Sequence, residues 1–151
     1  MNTTRAYLVP LVLIAAMAVP AWAALGGDAS SVDADVAKLK GALRITSTTP
    51  VATHEITAAS GTLVREYLGA DGHVFAVSWQ GPANPDLRQL LGAYYAQVEQ
   101  AYATAPHRDR RHLNIEQPGL VVRASGRPRA FYGRAWLPDQ LPTNFSVDDI
   151  Q

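Results

Sequence analysis

The chain predicts an α+β fold: a single antiparallel β-sheet of about five to six strands packed by one long helix, in the order α-βββ-α-βββ, after an N-terminal signal peptide. Three observations carry this. Residues 73–80 alternate at period two, His73, Phe75, Val77 and Trp79 against Val74, Ala76 and Ser78, which marks a strand with one large-residue and one small-residue face. Leu87, Leu90, Leu91, Tyr94 and Val98 recur at helical spacing. Short turn signals separate the strand-length segments, so neighbouring strands run antiparallel.

The first residues read as an export signal. Arg5 gives a short positive region, residues 6–19 an apolar run broken by Pro10, and Ala21-Trp22-Ala23 the small-residue pattern that signal peptidase cuts. Cleavage is expected after Ala23. The apolar run is shorter than the ~20 residues a spanning helix needs. A single domain over 24–142 and an irregular tail over 143–151 are expected to follow.

The first helix is expected from Ser30, with Asp33 completing a capping box, to about Lys40. Val32, Val36, Leu39 and Leu43 form its apolar face. Residues 47–50 read as a loop. Strands are expected over 51–57, 62–68 and 73–80, joined by Ser60-Gly61 and Gly69-Ala70-Asp71-Gly72. In the third strand His73, Phe75, Val77 and Trp79 should share one face, and Val74, Ala76 and Ser78 the other.

The long helix is expected over 84–103. Asn84 suits the N-cap, Pro85 the first turn, and Asp86 the positive end of the helix dipole. Residues 107–112, His-Arg-Asp-Arg-Arg-His, read as a solvated connector. Strands over 113–116, 120–124 and 129–136 complete the sheet, with turns at 117–119 and 125–128.

Composition narrows the function. Thirteen basic and thirteen acidic residues balance, which argues against nucleic acid or an anionic membrane surface as partner. No cysteine is present, so disulfides, thiolate metal sites, cysteine nucleophiles and a lipidated N-terminal cysteine are excluded together. His54, His73, His107 and His112 show no zinc-ligand spacing. Neither a G-x-S-x-G elbow nor an S-x-x-K pair occurs, and no glycine loop for phosphate follows a strand. No cofactor is implied. Arg65 and Glu66 are strand neighbours, so they point to opposite faces and cannot serve one small substrate. Arg65 is expected to pair with a charge across the strands.

The last strand places Tyr132, Arg134 and Trp136 on one face, an aromatic-arginine-aromatic stripe of the kind enriched at contact surfaces. This stripe is the expected binding surface, with Trp79 second. The plainer alternative packs the stripe beneath a loop, the first helix or the tail, with Arg134 paired to an acid.

Two blocks, SGTLVREYLGADGHVFAVSWQGPANPDLRQLLG at 60–92 and GRPRAFYGRAWLPDQLP at 126–142, together with ALGG at 24–27, carry a resemblance. The chain resembles the exported bacterial proteins grouped as domain of unknown function 2844. The resemblance implies a Gram-negative envelope protein and brings no activity or site residues with it.

The expectation is therefore a non-enzymatic periplasmic or secreted accessory module. Its partner would be another envelope protein or an envelope polymer, with no membrane span after signal cleavage. The alternatives are an envelope-directed hydrolase, which would gather groups such as Glu66, Asp71, His73 or His54 in one pocket, and a hydrolase inhibitor that inserts the 69–72 turn.

Overall fold

Seven strands build one antiparallel sheet in the order β1-β2-β3-β4-β7-β6-β5, with an apolar cluster on each of its faces. The computed structural model describes residues 25–29, 32–48, 51–104 and 112–151. The proposed signal peptide, the cap at Ser30 and all of the 107–112 connector except His112 lie outside them. Helix α1 (Val32–Leu39) precedes β1 (Ala42–Thr48), β2 (Val51–Thr57), β3 (Leu63–Leu68) and β4 (Val74–Gly81). Helices α2 (Leu87–Leu91) and α3 (Tyr95–Thr104) then lead to β5 (His112–Gln117), β6 (Leu120–Arg127) and β7 (Ala130–Trp136). Two hairpin-connected blocks, β1–β4 and β5–β7, are thus joined by the pairing of β4 with β7.

Three sequence expectations change. The sheet has a strand more than expected, because 42–48 pairs with β2 instead of continuing the helix. Helix α1 closes in a Schellman-type end: Gly41 N–H donates to the Val36 carbonyl at 3.0 Å and Lys40 N–H to Ala37 at 3.3 Å. Lys40 takes the left-handed position, with φ of 47°. Leu43, which fits the helical spacing, therefore becomes a strand residue opposite Ile56.

The long helix is two short ones. Gly92, at φ 49°, breaks it, and a single 3-10 turn over Gly92–Tyr94 separates α2 from α3. Without a β-carbon, Gly92 turns the chain where any other residue is strained. The cap is Asp86, not Asn84: its Oδ1 accepts from Arg88 N–H at 2.9 Å and Gln89 N–H at 3.3 Å.

The faces of β4 also differ from strict alternation. Tyr67 pairs with Ala76 and Leu68 with Val74, so Phe75 is the extra residue of a bulge. Val74 then joins Val77 and Trp79 on one face, while Phe75 and Ala76 lie in the opposite layer.

The inner face packs Ile56, Val64, Val77, Val122 and Ala135 against Val32 of α1, Leu90 and Leu91 of α2 and Val98 of α3. Full burial of each such valine, leucine or isoleucine contributes about 1.5–3 kcal/mol. On the outer face Val51, Tyr67, Phe75 and Trp136 are covered by the C-terminal segment, through Leu141, Phe145, Val147 and Ile150. That segment holds two 3-10 turns, Pro138–Gln140 and Val147–Asp149. Ser146 caps the second, accepting from Asp148 N–H at 3.2 Å.

Candidate functional site

Strand register, more than any local pattern, assembles the site. On the outer face, Gln80 lies opposite Tyr132, Tyr132 opposite Ser125, and Ser125 opposite His112. One step along the strands, Ser78 lies opposite Arg134, Arg134 opposite Arg123, and Arg123 opposite Asn114. These rows, the buried Ser78 apart, floor an open cleft of about 710 Å³, walled by Ile150 and Gln151 of the C-terminal segment.

Tyr132, Arg134 and Trp136 share this face, as their alternation predicts, but are not equally available. Tyr132 is 58% exposed. Trp136 is buried beneath the C-terminal segment, and its ring is flanked by the guanidinium carbons of Arg123 at 5.4 Å and Arg134 at 5.7 Å. Arg134 Nη1 donates to the Val147 carbonyl at 2.8 Å, and its Nη2 stands 4.0 Å from Asp148 Oδ1. The stripe is therefore open at Tyr132, half-covered at Arg134 and closed at Trp136. Trp79 lies on the inner face, only 2% exposed, where it packs across from Gly133. It cannot present a ring on the same side as Tyr132.

The cleft's charges are locally matched. Arg123 pairs with Glu116 at 3.0 Å across the β5–β6 ladder. Ser125 Oγ lies 2.8 Å from His112 Nδ1. Gln80 and Asn114 are exposed amides, each able to donate and accept.

Beside the cleft, three donors converge on one acceptor. Arg65 Nη1 at 2.8 Å, Tyr67 Oη at 3.0 Å and Ser78 Oγ at 2.5 Å all donate to the Gln151 main-chain oxygen. Tyr67 Oη also accepts from Gln151 N–H at 3.0 Å. Arg65 Nε meets Glu55 at 2.9 Å, its register partner on β2, which is the cross-strand pairing the sequence predicts.

The groups considered for hydrolysis are dispersed. Glu66 faces His54 across β2 and β3, both buried in the inner layer. Asp71 and His73 stand exposed at the β3–β4 turn, where Asp71 Oδ1 accepts from His73 N–H at 3.1 Å. Among the described residues, no three His, Asp or Glu side chains gather as metal ligands, and no helix is long and apolar enough to cross a membrane.

A family model described as protein of unknown function (DUF2844) matches residues 21–150. The chain belongs to this family. No curated protein and no solved structure matches it. The family match takes in the whole sheet and all but the last residue of the C-terminal segment that walls the cleft.

Sequence reading missed Gln80, His112, Asn114, Arg123 and Ser125. Each sits at an outward position of its own strand, but only the register brings them into two rows. Ser125 read as a turn residue, whereas β6 runs on to Arg127.

Proposed function

We propose that this protein is a non-enzymatic accessory module of the periplasm or the secreted fraction, and that it binds a partner through the outer face around Tyr132. The carrying observation is an exposed aromatic ring in an open cleft whose arginines are already paired with carboxylates, a surface suited to contact. The signal-like N-terminus supports action after export. Arg134 is the second contact residue, oriented by the Val147 carbonyl. Trp136 and Trp79 support the face from within and do not touch the partner.

The test has two parts. N-terminal sequencing of protein recovered from the periplasm should begin at Ala24, and retention of residues 1–23 in the cytoplasm would refute export. Tyr132→Ala, with an unchanged melting curve, should lose capture of the partner from the native envelope fraction. Undiminished capture would remove this face from consideration.

A second reading, an envelope hydrolase of the acyl-transfer type, rests on the Ser125–His112 contact. Against it, Ser125 lies on β6, which pairs with β5 on one side and β7 on the other, so the amides around it are engaged in strand pairing rather than free to receive an oxyanion. Covalent labelling of Ser125 by a fluorophosphonate probe would favour the hydrolase; no labelling supports the binding module.

A further inference from the structure

The ligand class follows from the chemistry of the same cleft, and this inference rests on the reading of that face as the contact surface. Four strands, β4, β7, β6 and β5, each contribute one residue to the row Gln80–Tyr132–Ser125–His112. Strands lie ~4.8 Å apart, so this row runs about 14 Å across the sheet. Such a length accommodates a short polymer laid across the strands.

Charge selects among polymers. Arg123 is matched by Glu116, and Arg134 by Asp148 and the Val147 carbonyl. An anionic chain would have to displace those carboxylates, and a cationic one would meet guanidinium groups. What remains is an amide at Gln80, an amide at Asn114, the Tyr132 ring and the Ser125–His112 pair, whose hydroxyl and second ring nitrogen keep hydrogen-bonding capacity beyond their mutual contact. These groups donate and accept in fixed directions around one flat apolar plate.

A protein partner fits less well. Protein contacts concentrate their energy in clustered apolar and aromatic anchors. Of the exposed large apolar residues among those described, Ile45, Tyr102 and Tyr132, only Tyr132 lies on this face. A chain of hydroxyl-bearing rings satisfies both features: apolar ring faces for Tyr132 and hydroxyls for the amides, Ser125 and His112.

We propose that the cleft binds a neutral oligosaccharide laid across β4, β7, β6 and β5, with one sugar ring stacked on Tyr132 and its neighbours hydrogen-bonded by Gln80, Ser125, His112 and Asn114.

Calorimetric titration of the full protein tests this with cellohexaose and chitohexaose as neutral probes and a galacturonate hexamer as the anionic one. Saturable binding of a neutral hexamer is expected. Tyr132→Ala should weaken it about tenfold, the scale of one lost aromatic contact. Gln80→Ala, at an exposed position whose loss cannot disturb the core, should weaken it several-fold. Binding of the galacturonate alone, or equal affinity in wild type and Tyr132→Ala, overturns the proposal. So does failure of both neutral hexamers while Tyr132→Ala still loses envelope capture, an outcome that leaves the contact surface standing with a different ligand. Failure of the sugars together with undiminished capture removes both readings.

Discussion

Gly133→Ala probes the closest approach in the sheet. Gly133 lies opposite Trp79 in the β4–β7 ladder and opposite Ala124 in the β6–β7 ladder. A β-carbon at Gly133 would overlap Trp79 Cζ2 and stand 2.6 Å from Trp79 Cε2 and 2.7 Å from the Ala124 Cβ. The indole has little room to yield, since Trp79 is 2% exposed and beneath the helices. Overpacking of this kind costs about 1–3 kcal/mol. For a domain of this size, that lowers the melting temperature by roughly 4–12 °C. Thermal unfolding followed by circular dichroism and by tryptophan emission would measure it. The clash is specific to one pair, so the double mutant Gly133→Ala/Trp79→Leu should cost less than the sum of its parts, by about 1 kcal/mol or more. A Gly133→Ala protein melting within about 0.5 kcal/mol of wild type, or strictly additive costs, would refute the account of the sheet's centre.

Tyr67→Phe removes both hydrogen bonds to Gln151 and should cost about 1–2 kcal/mol, with faster amide exchange in 145–151 than in the core strands; unchanged exchange there would count against the docked segment. Lys40→Gly should stabilise by about 0.5–1 kcal/mol, because the left-handed Schellman position strains a residue with a side chain; a loss of stability in urea unfolding would contradict that geometry. Partial burial, and then the neighbouring Tyr95, raise the Tyr102 hydroxyl above the usual phenol range. The fold thus favours its neutral form, so this contribution is complete below the unfolded phenol pKa of about 10 and is lost as pH rises through the higher folded value. Spectrophotometric titration of wild type against Tyr102→Phe should show the missing phenol to be a late-ionising one.

Much of the sheet is legible because strand alternation and tight turns are local. The pairs Arg65/Glu66 and His54/Glu55 point to opposite faces as period two requires, and Tyr132, Arg134 and Trp136 do share a face. What escapes reading depends on distant partners. Leu43 satisfies helical spacing and strand alternation alike, and the Schellman end at Lys40 decides between them. The bulge at Phe75 exists only relative to β3. Gly92 did carry a visible signal, a flexible residue amid helical spacing, and it marks the break. The covering of Trp136 had a fainter one: Phe145, Val147 and Ile150 are apolar residues in a segment that prolines and aspartates make look irregular. The two rows of the cleft need the register of four strands at once, which no single segment encodes.

The junction of β4 with β7 has a consequence for how the chain assembles. Every other strand pairing joins neighbours in sequence, whereas here Gly81 must find Phe131 and Ala76 must find Trp136. Closing so large a loop is entropically slow, and it is repaid only once the ladder zips. Contacts within each hairpin block are local, so they are expected to form before the blocks dock along this seam. The two outer-face rows straddle that seam, with Gln80 and Ser78 from one block and the rest from the other. The outer face around Tyr132 is thus complete only once the two blocks have met.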